Sequence, residues 1–377
     1  MTPRHFSVPA MAPLLPKREA LNAYLARIDA NRWYSNFGPL CEEFAARIAA
    51  HYGAEDGTVC LASNATSALA AVMQELSEGR AGGLCLMPSW TFAATAHAAC
   101  LAGLEPKFVD VDAGTGQLTP EIAERALDPR VAVVMPVSPF GAAVAPTPWA
   151  AFQQRHGIPV VIDAAAGFDT VTPSAIPTIV SLHTTKPVSA AEGGFLLSTD
   201  RDFVERIRRR TNFGFDAERA SQYLGLNAKM SEYAAAIGLA SLDAWPEERA
   251  RLMAKARRYA ARLSSLPLAL QEGWGASWIS TTLNVRLNAA HGANATELSR
   301  RLSGEGIDAR LWWGRGCHTH PAFARFETAP LPNTERWVRS ILGLPFHANL
   351  DDADMDEVVA RLSEALDSGD SRRGSAL

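Results

Sequence analysis

The sequence is poor in cysteine, and none of its cysteines is spaced as a metal or redox motif requires. It contains five cysteines in 377 residues, scattered singly and without a Cys-x-x-Cys pair. This pattern argues against a zinc ribbon, a dithiol redox motif and a disulfide framework, and an odd count fits a reducing cytosol. We therefore expect a cytoplasmic protein whose fold does not depend on disulfide bonds.

Long apolar runs, a leader pattern and a surplus of basic residues are also missing. No apolar stretch is long enough to span a bilayer, and the first residues lack the basic-then-apolar layout of a signal peptide. The formal net charge is -4 and no extended Lys/Arg tract occurs, which argues against nucleic-acid binding. With 47% apolar and 20% charged residues, the chain is typical of a soluble globular protein.

Short apolar runs alternate with helical spacing between about residues 57 and 200. Most of these runs are continuously apolar, as expected of strands covered on both faces. The alternation predicts an α/β domain with a mostly parallel sheet and right-handed crossovers, in which ligands gather at the carboxyl ends of the strands. The predicted strands are 58–62, 84–88, 107–112, 131–137, 159–163, 179–183 and 194–198.

A smaller second domain is predicted after a long helical pattern that begins at Glu232 and ends near Leu263. We assign residues 1–245 to a large domain with an N-terminal arm, and 246–366 to a small C-terminal α+β domain. The polar, Gly/Ser-rich residues 367–377 are predicted to be disordered. Within the small domain we predict a strand at 282–287, a helix at 295–303, an irregular loop at 311–335 and a final helix at 351–366.

Lys186 is the single most informative residue of the chain. It ends a short polar turn that follows an apolar run, and the pair Gly193-Gly194 and another apolar run come shortly after it. This arrangement holds an amine at a fixed point beside closely approaching backbone. A lysine in that position can form a Schiff base with an aldehyde cofactor.

Three other motifs follow predicted strands, and each has a functional and a purely structural interpretation. Residues 62–69 join a strand to a helix, so they form either an anion site at a helix N-terminus or a simple cap. Trp90 and Phe92 offer a face for stacking on a heteroaromatic ring, or they belong to the core. Asp163, at a strand end, either keeps a pyridine nitrogen protonated or caps a turn.

Taken in order, an anion site, an aromatic, an acid and a lysine resemble the fold-type-I enzymes that depend on pyridoxal phosphate (PLP). Over nearly its whole length the chain resembles the DegT/DnrJ/StrS family of sugar aminotransferases. The motifs that carry this resemblance are residues 32–39, 88–92, 108–112, 181–186 with 192–194, 225–232 with 235–239, 306–310 with Trp312, Trp313, His318, Pro321 and Phe323, then 331–335 and 344–347.

The resemblance implies PLP as the cofactor and a fold-type-I transferase, with a mostly parallel central sheet and a smaller C-terminal α+β domain. Lys186 would carry the internal aldimine and move the proton between the substrate carbon and the cofactor. Asp163 would pair with the pyridine nitrogen, and Phe92 would stack on the ring. No metal site is implied.

The resemblance also assigns residues to the cofactor phosphate and to the sugar substrate. Ala65 and Thr66 would bind the phosphate, with Ser181 assisting. Asn227 would reach the phosphate of the partner subunit's cofactor, because active sites of the family form at a homodimer interface. The loop that would help bind the sugar nucleotide contains Trp312, Trp313, Arg315 and His318.

At three positions the chain departs from the family pattern. Ala166 stands where the family usually has Gln or His in contact with the phenolic oxygen of the cofactor. Ala65 and Ala191 each replace a usual glycine. These departures predict a divergent subgroup with altered tuning of the cofactor ring and a looser approach of the backbone to the phosphate.

The predicted reaction moves an amino group from an amino acid, expected to be glutamate, to a keto-sugar. The family's acceptors are mostly nucleotide-linked 3- or 4-keto-deoxysugars. A sugar dehydratase is one alternative, although those members replace the lysine by histidine; Lys186 is present, and His183 should not be mistaken for the substitute. A non-catalytic regulator that binds PLP or a sugar nucleotide is the other alternative, left open by Ala166.

One further side chain and two pairs have open roles. Cys317 is either an incidental thiol or the nucleophile of a desulfurase. His318 and His320 are too few to hold a metal alone, so we interpret them as substrate-loop residues. Arg310 and Arg315 either bind a carboxylate or diphosphate bidentately or lie on the surface.

Overall fold

The computed structural model describes residues 6–288 and 294–374, with side chains up to residue 367. Its large domain is built on two groups of hydrogen-bonded strands, in the orders β1-β7-β6-β5 and β3-β2-β4. The strands are β1 (Val59–Ala62), β2 (Leu84–Pro88), β3 (Glu105–Val109), β4 (Val131–Val134), β5 (Ile162–Asp163), β6 (Thr178–Ser181) and β7 (Gly194–Leu197).

Backbone hydrogen bonds between β4 and β5 join the two groups into one continuous sheet. The Val161 N–H donates to the Val134 carbonyl at 3.0 Å, and the Asp163 N–H donates to the Pro136 carbonyl at 2.9 Å. Neighbouring strands are parallel in the pairs β2–β3, β2–β4 and β5–β6, whereas β7 is antiparallel to both of its neighbours. The predicted mostly parallel sheet is confirmed, with β7 as its exception.

Helices pack beside this sheet and bury their apolar faces against it. In α3 the predicted apolar positions Leu69, Val72 and Met73 are buried, and Asn64 caps the helix by accepting the Ser67 N–H at 2.8 Å. The helices of the large domain are α1 (Arg18–Asn31), α2 (Pro39–His51), α3 (Ala65–Leu76), α4 (Ala93–Leu101), α5 (Pro120–Arg125), α6 (Pro146–His156) and α7 (Arg201–Arg210).

The long helix α8 (Glu232–Leu263) leads from the large domain to the small one and contains Pro246. At its start, the buried Glu232 carboxylate accepts the N–H groups of Leu40 and Cys41 at 2.8 Å each, which satisfies the first turn of α2. A Cβ on Gly38 would lie 2.6 Å from the Glu232 Cδ atom. Glycine at position 38, the residue before α2, is therefore required by this close approach.

The small domain contains an antiparallel sheet in the order β10-β9-β8. Most predicted elements are present, but the irregular loop predicted at 311–335 is wrong at its end, because a helix begins at Pro332. The domain boundary at 245/246 stays a prediction, since α8 runs through it. Its elements are β8 (Leu268–Leu270), β9 (Leu283–Leu287), α9 (Ala295–Gly304), α10 (Pro332–Ser340), β10 (Ile341–Leu344) and α11 (Asp352–Gly374).

The C-terminal end of the chain differs from the prediction. The final helix continues to Gly374, well past the predicted end at residue 366, and residues 375–377 of the predicted disordered tail lie outside the described residues. Disorder of the tail stays a prediction. Among the described residues, no helix is both long and apolar enough to cross a membrane.

Candidate active site

A cavity of about 440 Å³ lies at the carboxyl ends of β1, β2, β5 and β6. Strands of an α/β sheet deliver their following loops to this edge, which is why residues distant in sequence meet there. Met11 of the N-terminal arm and residues 280–282 before β9 complete its wall. The residues expected from the sequence that line this cavity are Ala65, Thr66, Phe92, Asp163, Ala166, Ser181, Lys186, Trp312 and Trp313, together with Arg310.

The start of α3 forms the part of the cavity that suits a phosphate. Asn64 caps the helix through the Ser67 N–H, so the structural interpretation of this motif holds too, but the other first-turn N–H groups need a partner. Gly194 of β7 lies directly beneath: a Cβ there would be 2.5 Å from the Ala65 nitrogen. The glycine after the lysine turn therefore lets the helix start approach the sheet closely.

Asp163 presents a buried carboxylate to the cavity. The Thr95 hydroxyl donates to its Oδ2 atom at 2.8 Å, the Ala165 N–H donates to Oδ1 at 3.1 Å, and Thr91 and Thr95 are hydrogen-bonded at 2.7 Å. Burial raises the pKa of Asp163, while these hydrogen bonds and the charge of Lys186 oppose the rise. Sequence reasoning missed Thr95, although its spacing of one helical turn from Thr91 was a usable signal.

Lys186 lies in the loop between β6 and β7. Its N–H donates to the His183 carbonyl at 2.8 Å, and the Thr281 hydroxyl donates to the carbonyl of the preceding residue, Thr185, at 2.5 Å. Burial lowers the pKa of the Lys186 amine, and the negative charge of Asp163 opposes that change. A half-buried amine and a buried carboxylate thus face one cavity, each with its pKa shifted toward the neutral form.

His183 lies beside Lys186 and is held by polar neighbours. Its Nδ1 atom is 3.0 Å from the Thr185 hydroxyl, and its Nε2 atom is 3.5 Å from a carboxylate oxygen of Glu192. The ring lines the same cavity. Lys186 and His183 are thus both present, so the histidine does not replace the lysine.

Ala191 adopts a left-handed backbone conformation, with φ of +62°. This explains why glycine is usual at the position, since a side chain in that region costs about 1–2 kcal/mol. We predict that Ala191→Gly raises the free energy of unfolding by about 0.5–1 kcal/mol, after the extra entropy of glycine in the unfolded chain is subtracted.

Urea unfolding measures that difference, with Ala190→Gly as the matched control. Ala190 is fully buried and is not among the residues with positive φ. Its replacement should lower the free energy of unfolding by about 1 kcal/mol or more, because it loses a packed methyl group and gains backbone freedom. Equal destabilisation by both changes would contradict the strain at Ala191.

Aromatic side chains form part of the cavity wall. Trp313 stacks on Phe140 with ring centroids 4.1 Å apart, and Trp90 packs edge-on to Trp313 at 5.2 Å. Trp90 is only 3% exposed and belongs to the core, whereas Phe92 is 62% exposed and lines the cavity. For both residues the sequence left a stacking role and a core role open. The structure places Trp90 in the core and Phe92 at the cavity.

Phe140 is a cavity residue that sequence reasoning missed. Its φ is +55° and that of Gly141 is +104°, and a Cβ on Gly141 would lie 2.6 Å from the Ala166 carbonyl oxygen. The Ser-Pro-Phe-Gly turn was the available signal. This turn packs against Ala166, which offers only a methyl group where the family usually has Gln or His.

Three predicted site residues lie outside the wall of this cavity. Arg315 is exposed, His318 holds the Ser89 hydroxyl at 2.6 Å through Nδ1, and Asn227 accepts a hydrogen bond from Lys229 at 2.7 Å. Their assigned contacts with substrate or with a partner's cofactor therefore stay predictions.

Cys317 is buried, and its thiol donates to the Thr91 carbonyl at 3.3 Å. Burial raises the pKa of the thiol to about 12, so the thiolate that a desulfurase needs is not favoured. We predict that Cys317→Ala leaves steady-state transamination within about twofold of the original and costs about 1–2 kcal/mol of stability. Loss of activity in a folded variant would revive a catalytic role.

The histidines of the same loop, His318 and His320, are too few to hold a metal ion by themselves. Among the side chains that the structure describes, in residues 6–288 and 294–367, no group of three or more His, Cys, Asp or Glu is arranged to hold a metal ion. His320 instead packs against Phe323 at a centroid distance of 6.1 Å.

Comparison with known proteins agrees with this geometry. The model of the DegT/DnrJ/EryC1/StrS aminotransferase family matches residues 16–363. The chain belongs to this family. It is 28% identical to a dTDP-4-amino-4,6-dideoxy-D-glucose transaminase of Shigella dysenteriae, covering 93% of this chain and 97% of that protein. Protein Rv3402c of Mycobacterium tuberculosis is 29% identical, with coverage of 95% and 90%.

Solved structures show the same fold. DesI, determined in the presence of its TDP-sugar product, superposes with a TM-score of 0.85 at 32% identity, covering 99% of this chain and 97% of that one. A chain from Bacillus cereus ATCC 10987 described as a PLP-dependent aminotransferase has a TM-score of 0.87 at 28% identity, with coverage of 94% and 99%. The expected fold-type-I architecture is confirmed, and this member of the family is a PLP-dependent sugar aminotransferase.

The cavity fits PLP on the structure's own terms. The start of α3, which Gly194 allows to approach the sheet closely, offers first-turn N–H groups to a phosphate. Asp163 is a buried acid whose cationic neighbour is Lys186. Lys186 supplies the amine. The one mismatch is Ala166, whose side chain cannot hydrogen-bond to the phenolic oxygen of the cofactor.

Proposed function

We propose that this enzyme transfers an amino group from L-glutamate to a nucleotide-linked 3- or 4-keto-deoxysugar, with Lys186 as the residue that binds PLP covalently and moves the proton. The observation that carries the proposal is that Lys186 and Asp163 line one cavity beside the start of α3, each with its pKa shifted toward the neutral form. Ala65, Thr66 and Ser181 would hold the phosphate there.

Asp163, Phe92 and Lys186, which all line the cavity, have distinct parts in that chemistry. Bound PLP supplies an electron sink for the charge that develops at the substrate carbon. Asp163 would keep a positive charge on the ring nitrogen of the cofactor, and Phe92 would provide an aromatic face for its ring. Burial favours the neutral amine of Lys186, which can then take the proton from the amino donor and return it to the sugar carbon.

Names of related enzymes support a nucleotide sugar as the acceptor. One relative acts as a dTDP-4-amino-4,6-dideoxy-D-glucose transaminase, and another, 28% identical, as a UDP-2-acetamido-2-deoxy-3-oxo-D-glucuronate aminotransferase of Pseudomonas aeruginosa. In this chain Trp312, Trp313 and Phe140 give the cavity an aromatic side, which suits a sugar or base ring.

Arg310 is the residue we assign to the carboxylate of the amino donor. Among the described residues that line the cavity it is the only arginine, whereas Arg315 is exposed outside it. A guanidinium binds a carboxylate bidentately, which would orient the donor toward Lys186. His318 and Arg315 are left for the more distant parts of the nucleotide.

A homodimer is the assembly we propose, in the cytoplasm. Large apolar side chains are exposed at one set of loops and helix starts, among them Trp33, Tyr34, Phe213, Leu224 and Tyr233. Exposed apolar groups of this kind mark association surfaces. We assign Asn227, which follows Leu224 in the same irregular segment, to the phosphate of the partner subunit's cofactor. Light scattering of the purified protein tests the dimer.

The test of the proposed function is amino transfer itself. PLP-loaded enzyme is mixed with ¹⁵N-glutamate and a panel of nucleotide-linked 3- and 4-keto-deoxysugars, and the products are analysed by mass spectrometry. We expect ¹⁵N in one aminosugar and release of 2-oxoglutarate. Loss of a sugar hydroxyl without nitrogen gain would favour the dehydratase, and binding without turnover would favour the regulator.

A further inference from the structure

The carboxylate of Asp308 lies between the cavity arginine and the N-terminal arm. Two nitrogen atoms of Arg310 donate to it. Nη2 donates to Oδ2 at 2.7 Å, and Nε lies 3.1 Å from both carboxylate oxygens. The Ala10 N–H donates to the same Oδ2 atom at 3.1 Å. Asp308 is only 6% exposed. A single buried carboxylate oxygen therefore accepts hydrogen bonds from two segments that are almost the whole chain apart.

Backbone hydrogen bonds fix the arm around this carboxylate. The Asp308 N–H donates to the Val8 carbonyl at 3.0 Å, and the Val8 N–H donates to the Gly306 carbonyl at 3.2 Å. On the other side, the Phe346 N–H donates to the Ala10 carbonyl at 3.2 Å. Met11, the next residue of the arm, lines the cavity. The arm and the cavity wall are thus one connected structure.

Arg310 itself is poorly restrained apart from Asp308. Its side chain is 44% exposed, and its other neighbour is the ring of Trp312, 5.1 Å from the guanidinium carbon. A guanidinium has five N–H donors. Asp308 engages the Nε and Nη2 side, so the donors on Nη1 stay available to a ligand.

We propose that Asp308 is a positioning residue that holds the Arg310 guanidinium and the N-terminal arm in the orientation that receives the carboxylate of the amino donor. This inference rests on the proposed function and specifies how its donor subsite is built. The negative charge of Asp308 weakens the attraction of Arg310 for an anion, so its contribution is geometric. A misplaced binding group reduces the rate even when its charge is intact.

A double-mutant cycle on the first half-reaction tests this assignment. The second-order rate constant for the reaction with L-glutamate is measured from single-turnover absorbance changes. It is compared in the original enzyme, Asp308→Asn, Arg310→Gln and the double variant. We expect Asp308→Asn to lower it about tenfold when Arg310 is present, and less than about twofold in the Arg310→Gln background, because the two residues act as one unit. An equal loss in both backgrounds would overturn the proposal, since a merely structural defect does not depend on Arg310.

Ser7→Ala is the matched control. Ser7 lies on the same arm, and its hydroxyl donates to the Gly306 carbonyl at 3.0 Å without touching Asp308. The control should leave the rate unchanged. A tenfold loss in Ser7→Ala would show that any loosening of the arm is sufficient and would count against Asp308.

Chemical rescue provides a second measurement in case Asp308→Asn does not fold. In Arg310→Ala, added guanidinium should restore the half-reaction about tenfold, because Asp308 can hold the free ion, whereas methylammonium should not. Equal rescue by both ions, or none by guanidinium, would overturn the proposal. Failure of the proposed function is distinguishable: the original enzyme would then not react with glutamate, whereas failure of this inference leaves it active.

Discussion

Replacement of Lys186 by alanine is expected to abolish amino transfer while leaving a folded protein. The residue lines the cavity, half-buried and with a lowered pKa, and no other described lysine lines that cavity. Proton transfer by a positioned base is worth about 10²–10⁴-fold, and loss of covalent binding of the cofactor adds to it. We therefore predict that kcat falls by about 10⁴-fold or more, measured as glutamate-dependent formation of 2-oxoglutarate.

Lys186→Arg is the control for charge. Arginine keeps the positive charge near Asp163 but does not lose its proton in proteins, so it cannot act as a base. Both variants should be inactive, although Lys186→Arg preserves the electrostatic contact. Activity within about tenfold of the original in either variant would show that another group moves the proton.

Replacement of Asp163 by asparagine should give the second largest effect. Asparagine can keep both hydrogen bonds of the carboxylate, with its carbonyl accepting the Ala165 N–H and its amide donating to the Thr95 hydroxyl. Only the charge opposite the ring nitrogen is lost. Electrostatic groups of this kind contribute about 10²–10³-fold in kcat, so we predict a loss of about 10³-fold.

The free energy of unfolding of Asp163→Asn should rise or stay unchanged, although its kcat falls. Burial raises the pKa of Asp163, which means that the folded protein disfavours its charge. A neutral amide avoids that cost, so Asp163→Asn should have a free energy of unfolding equal to or above that of the original. Measurement of kcat together with urea unfolding of the cofactor-free protein separates the two effects. A variant that loses both activity and stability would contradict the assigned role.

Much of the site could be predicted because its residues follow strands directly. Lys186, Asp163 and Thr66 each lie within a few residues of a buried apolar run, and the sheet brings the ends of those runs to one edge. Local sequence therefore contained both the chemistry and the approximate position. The direction of β7 was not predictable in this way, because a buried strand has the same composition whether its neighbours are parallel or antiparallel.

Other parts depend on contacts that leave no local pattern. Asp308 and Ala10 are 298 residues apart along the chain, and nothing near either one indicates the other. Phe140 reaches the cavity only because its turn has positive φ, and the stacking partner Trp313 comes from the small domain. Such tertiary contacts select among interpretations that composition and spacing leave equal, as they did for Trp90 and Phe92.

Covalent attachment of the cofactor at Lys186 is the central claim, and one measurement tests it most directly. PLP-loaded protein is reduced with borohydride, digested and analysed by peptide mass spectrometry, with and without prior incubation with L-glutamate. We predict that the reduced cofactor is attached to Lys186 and that glutamate removes this labelling. Attachment at another lysine, or labelling that glutamate does not change, would contradict it.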